Sequence, residues 1–126
     1  LHVVPHSGET EGPHAVWAAL DAGADRIGHG IAAAQDPQLM TCLRQRNIPL
    51  EVCLTSNVST GAVASLDRHP LPALLDAGVP VTLNTDDPGL FDTSLAREYQ
   101  LAEEVLGLSL NVLQQLAADS FRYAFR

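Results

Sequence analysis

The sequence predicts an α/β fold built on a parallel sheet, and three observations predict it. Short apolar runs alternate with stretches of helical spacing along all 126 residues. Gly, Pro and Asp punctuate each change of period. The polar residues capable of chemistry follow the ends of the apolar runs, which in a parallel α/β protein is the face that binds ligands.

Four βα units can be counted. The first is a strand at 1–5, a loop at 6–12, and a helix that Pro13 opens and Gly23 closes, with Val16, Ala19 and Leu20 at helical spacing. The second is a strand at 26–28 and a helix with Asp36 as N-cap, Pro37 in its first turn, and Leu39, Met40 and Leu43 on one face. The third has a strand at 50–54, a long connection through 57–69, and a helix at 71–77 closed by Gly78. The fourth has a strand at 79–83, a loop at 84–93 and a helix over 94–106. A final amphipathic helix starts at Ser109, with Leu110, Leu113, Ala117, Phe121 and Ala124 on one stripe. The mean step between strand starts, about 26 residues, is compatible with the roughly 31 residues per unit of a (β/α)8 barrel and also with a doubly wound sheet. Periodicity does not choose between them.

Composition excludes several functions. Seven Lys and Arg against 15 Asp and Glu give a net charge of −8, which disfavours nucleic acid and anionic membrane surfaces as partners. No apolar run approaches the roughly 18 residues of a membrane span, and no signal-peptide pattern is present, so a soluble, cytoplasmic protein is expected. Cys42 and Cys53 lack Cys-x-x-Cys spacing and read as small buried hydrophobes. The chain starts at Leu1 rather than Met and enters a strand at once, which points to a piece of a longer protein.

The strand ends carry the chemistry. His6 and Glu9 follow the first, with Gly8 between them to let the backbone turn. His29, flanked by Gly28 and Gly30, ends the second; Thr55, Ser56 and Asn57 follow the third; Asp86 and Asp87 follow the fourth. An imidazole with a nearby carboxylate can ligate a metal and shuttle a proton, or form an ordinary hydrogen-bonding pair. Two adjacent carboxylates repel and are eased by a cation or a protonated ligand; an Asp pair before Pro88 can also cap a turn. His14 and His69 read as structural, His2 shares the strand face of His6, and on the fourth helix Tyr99, next to Glu98, reads as core.

Taken in order, His6-Ser7-Gly8-Glu9, Arg26-Ile27-Gly28-His29-Gly30, Glu51-Val52-Cys53-Leu54-Thr55-Ser56-Asn57, His69-Pro70-Leu71, Asn84-Thr85-Asp86-Asp87-Pro88 and Ser94-Leu95-Ala96-Arg97-Glu98-Tyr99 resemble the adenosine deaminase family of the metal-dependent amidohydrolase superfamily. The resemblance runs over the whole chain, with Ser7 where many members have Ala and Leu54 where many have Pro. It implies the C-terminal half of a (β/α)8 TIM barrel: residues 1–126 would form four βα units plus a C-terminal helix of one deaminase domain whose N-terminal half lies outside this chain.

The same resemblance implies zinc-dependent hydrolytic deamination of an adenosine-like purine, adenosine giving inosine and ammonia. It implies that His6 and Asp86 bind zinc, one ion per subunit, and that Glu9 donates a proton to purine N1. His29 would orient and deprotonate the attacking water, Asp87 would hydrogen-bond N7, and Gly8 would let backbone approach the ring. The family's other two zinc ligands form a His-x-His pair that this chain lacks, so the fragment alone is expected to be inactive. 6-Aminodeoxyfutalosine and adenine are the alternative substrates, and a non-catalytic structural or binding module is the alternative outside enzymology. The joint presence of His6, Glu9, His29, Asp86 and Asp87 argues against that module, and Gly28-His29-Gly30 does not fit a phosphate-binding loop.

Overall fold

The computed structural model describes residues 1–126. Its strands are β1 (His6–Ser7), β2 (Ile27–His29), β3 (Leu50–Val52) and β4 (Val81–Leu83), in one sheet of order β1-β2-β3-β4. Pairing of β1 with β2 and of β2 with β3 is parallel, with His6 opposite Gly28 and Ile27 opposite Leu50. The order never reverses, which is the progression of a barrel, whereas a doubly wound sheet turns back at a switch point. Every residue of β2 and β4 is buried, as expected of parallel strands covered on both faces.

The helices are α1 (Pro13–Asp21), α2 (Pro37–Arg46), α3 (Leu54–Ser59), α4 (Leu71–Asp76), α5 (Pro88–Phe91), α6 (Leu95–Glu104) and α7 (Leu110–Arg122). Two 3-10 turns lie at Ile31–Gln35 and Leu66–Arg68. The expected start and stop residues act as such. Asp36 accepts from the backbone N–H groups of Gln38 and Leu39, Ser94 from Arg97 and Ser109 from Val112. Gly23 and Gly78 follow their helices with φ of 83° and 75°. None of the helices is long and apolar enough to cross a membrane.

The chain divides into two compact units. The first comprises Leu1–Val52, Pro70–Val81 and Phe125, and the second Cys53–His69, Thr82–Ala124 and Arg126. In the first, the apolar faces of α1, α2 and α4 are buried through Val16 and Leu20, Leu39 and Leu43, and Leu71 and Leu74. Burying each such leucine contributes about 2 to 3 kcal/mol. The second is centred on Leu54, Ala102, Leu113 and Leu116, and α6 packs on both α3 and α7.

Several boundaries differ from expectation, each for a physical reason. The first strand begins at His6 rather than Leu1, because β1 is an edge and Pro5 has no N–H; Val3 and Pro5 still accept from Asp25 and Gly28 through their carbonyls. The fourth begins at Val81 rather than Val79, because the Val79 N–H bonds to Leu74 O at the end of α4 and Pro80 donates nothing. The connection after β3 holds α3, and the loop after β4 holds α5, capped by Asp87. On α7 the buried residues are Leu113 and Leu116, while Leu110 and Phe121 of the expected stripe are 64% and 75% exposed.

Candidate active site

In the first unit, the ends of β1 and β2 bring His6, Gly8, Glu9 and His29 together. The His6 and His29 rings lie 4.7 Å apart, inclined by 56°. His29 is buried, and its Nε2 lies 3.6 Å from Glu9 Oε2, an electrostatic contact beyond hydrogen-bond length. Gly8 adopts φ 67°, where a Cβ would collide with Val16 Cγ2 of α1, so glycine is required there. That turn is fixed on both sides: Ser7 O accepts from Gly30 N–H and Gly8 O from Ala32 N–H.

In the second unit, Asp86 and Asp87 are exposed beyond β4. Ser56, fully buried on α3, donates its hydroxyl to Asp86 Oδ2 at 2.7 Å. Asp87 Oδ1 accepts from Leu90 N–H at 2.9 Å, so the turn-capping use open to the pair is realised by this one oxygen. Asn57 Oδ1 lies 3.0 Å from Nε2 of buried His69, whose pKa burial lowers to about 4. His69 is thus a neutral, packed histidine in the folded chain.

Backbone geometry singles out two of the expected residues. Four non-glycine residues have positive φ: His29 (62°), Asn47 (55°), Asp86 (58°) and Asp92 (48°). Asn47 and Asp92 are helix C-caps, an ordinary reason for the left-handed conformation. His29 and Asp86 are not caps, and strained residues concentrate where a ligand is handled.

Other candidates fall elsewhere. His2 is exposed, stacks on Phe125 at 3.8 Å and lies 3.6 Å from Asp25, so it does not join His6. His14 is exposed on α1. Tyr99 lines an apolar cavity of about 390 Å3 with Leu95 and Phe121, and burial raises its hydroxyl pKa.

Glu98 lay outside the expected site, yet it is the one fully buried carboxylate. It accepts from Thr55 N–H at 3.2 Å, from the Thr55 hydroxyl, and from the Thr93 hydroxyl at 2.8 Å. The sequence signal was an acid on the α6 face that also carries Ala102, one turn on.

The imidazole nitrogens of His6 and the carboxylate oxygens of Asp86, the latter bonded by the Ser56 hydroxyl, are each donor types that a zinc ion accepts. Consecutive parallel strands with such groups beyond their ends define part of a (β/α)8 barrel. The structure superposes over all of its length on 39% of a bacterial adenine deaminase from Arthrobacter aurescens, with a TM-score of 0.95 and 35% identity.

The family model described as adenosine deaminase matches residues 1–126, and the chain belongs to that family. It is 53% identical, over 99% of its length and 33% of the relative's, to the aminodeoxyfutalosine deaminase of Streptomyces coelicolor. It is 44% identical, over 98% of its length and 38% of the relative's, to the adenosine deaminase of Klebsiella pneumoniae. The chain thus spans about a third of the length of the curated relatives it matches.

Proposed function

We propose that the protein containing this chain hydrolyses the exocyclic amine of an adenosine-like purine, adding water at C6 and releasing ammonia, and that it uses zinc. The observation that carries the reading is the buried His29, held at positive φ beside Glu9 and facing His6, in a chain of this family. His6 and Asp86 would supply two zinc ligands, and the remaining two would come from a His-x-His pair in a part of the protein outside this chain. Bound zinc would supply an acidified water, its pKa lowered from that of bulk water toward neutrality.

Glu9 is the proton donor to N1, which withdraws electron density from C6 and opens it to attack. A carboxyl group is a donor only while protonated, and the neighbouring ring edge of a bound purine would desolvate it. His29 takes the proton from the attacking water and directs its lone pair at C6. His29 then passes that proton to the amine, which leaves as ammonia, while the C6 hydroxyl returns its proton to Glu9 and becomes the ring carbonyl. Asp87 hydrogen-bonds N7 through the oxygen its helix cap does not use; since a carboxylate and N7 both accept, one of them must carry a proton. Gly8, without a side chain, admits the ring close to backbone.

A second reading, 6-aminodeoxyfutalosine as the substrate, is favoured by the 53% identity to an aminodeoxyfutalosine deaminase against 44% to an adenosine deaminase. Both substrates share the reacting purine and differ on the sugar side. The test is ammonia release by the complete protein from adenosine, 6-aminodeoxyfutalosine and adenine, with Glu9→Gln in parallel. Glu9→Gln is expected to cut turnover by several orders of magnitude while leaving metal content intact. Near-normal turnover in that variant would remove the proton-donor role, and no ammonia from any of the three would overturn the reading.

A further inference from the structure

We propose that Glu98 is a positioning residue for Asp86, acting through Thr55 and Ser56; the proposal rests on the reading of Asp86 as a zinc ligand. Asp86 is exposed and sits at φ 58°, so its own burial does not fix its carboxylate. Its Oδ2 accepts a 2.7 Å hydrogen bond from Ser56, a fully buried residue in the first turn of α3. The N-cap of that helix, Cys53, makes no side-chain cap. Its function is taken over by Glu98, 43 residues on, whose Oε2 accepts the Thr55 N–H.

The other carboxylate oxygen of Glu98 accepts from both the Thr55 and Thr93 hydroxyls. Thr93 closes the segment that begins with Asp86 and Asp87, and Thr55 adjoins Ser56. One carboxylate therefore ties together the two segments that the Ser56–Asp86 bond also joins. A packing role would not select this group. A fully buried carboxylate without a paired cation is costly, and a leucine would fill the space without that desolvation penalty. A carboxylate earns its place when three donors must be held in one fixed arrangement.

The test uses the complete protein and reads zinc affinity by chelator competition, together with the thermal midpoint of the metal-free form. Glu98→Gln places an amide N–H₂ or loses an acceptor opposite Thr55 N–H, and is expected to weaken zinc binding about 10- to 100-fold. Ser56→Ala is expected to weaken it by a similar factor. The double variant should bind no more weakly than the worse single one, because both act on the same bond. Thr93→Val, which deletes a single donor and keeps side-chain shape, should give a smaller loss that also vanishes in the Ser56→Ala background; it serves if Glu98→Gln does not fold. A lowered midpoint with unchanged zinc affinity, or losses that multiply in the double variant, would overturn the positioning role. Asp86→Ala separates the two readings. If it leaves zinc affinity unchanged, the ligand assignment falls and this proposal with it; if it weakens binding while Glu98→Gln and Thr93→Val do not, only the positioning role falls.

Discussion

Acidification should destabilise the protein through His69, and the size of the effect follows from its surroundings. His69 is 4% exposed, its Nε2 faces Asn57 Oδ1 at 3.0 Å, and burial lowers its pKa from 6.5 to about 4. In the unfolded chain it titrates near its ordinary value, so between the two pKa values the unfolded state holds more protons than the folded one. Stability is therefore fully present above about pH 6.5 and is lost as pH falls toward 4. At 1.36 kcal/mol per unit, the loss from this residue is about 2 kcal/mol near pH 5 and about 3 kcal/mol near pH 4. Against a total stability of about 5 to 15 kcal/mol this is readily measured. Urea unfolding of the complete protein from about pH 8 to pH 5 reads it, with His69→Gln as the reference, since glutamine keeps an N–H for Asn57 and does not titrate. Wild type should lose about 2 kcal/mol more than the variant over that range. Parallel pH profiles would refute the reasoning.

Gly8→Ala should cost about 2 to 5 kcal/mol, about 1 to 2 from the left-handed conformation and the rest from collision with Val16. Gly23→Ala, at φ 83° but with open space around it, should cost only the conformational part, and equal losses in the two variants by urea unfolding would contradict the collision. Asp86→Ala should lower zinc occupancy of the purified complete protein, read by elemental analysis; an unchanged content would remove Asp86 from the ligand set. Chelation should abolish ammonia release and added zinc restore it, while activity that persists in metal-free protein would exclude a catalytic ion.

What the sequence made legible was whatever local chemistry determines. Asp36, Ser94 and Ser109 cap the helices they precede, Gly23 and Gly78 end theirs, and the polar groups do follow the strands. What it hid was set by partners distant in the chain. Helix α3 has no capping residue at its start because the cap is Glu98, so the segment looked like a connection. On α7 the expected stripe holds at Leu113 and fails at its ends: Leu116 is covered while Leu110 and Phe121 are not, because the covered face is chosen by what packs on it, and the helical spacing offers more apolar positions than the neighbours cover. The strand starts were misplaced at Pro5 and Pro80, where an apolar run continued but the N–H needed for a ladder was missing.

The strain at His29 and Asp86 links this frame to the chemistry. Each holds a left-handed backbone at a cost of about 1 to 2 kcal/mol. Neither gains a helix cap in return, so the cost must be met by the surrounding structure. For His29 that structure is explicit: β2 is buried along its whole length, Gly30 N–H is bonded to Ser7 O, and Leu50 of the adjoining strand is fully buried. One such leucine contributes about 2 to 3 kcal/mol, enough to offset the strained residue beside it. Asp86 has no comparable burial, and polar bonds, the one from Ser56 among them, hold it in its place. The two residues should therefore respond to different perturbations: His29 to apolar truncation under β2, and Asp86 to removal of the Ser56 hydroxyl.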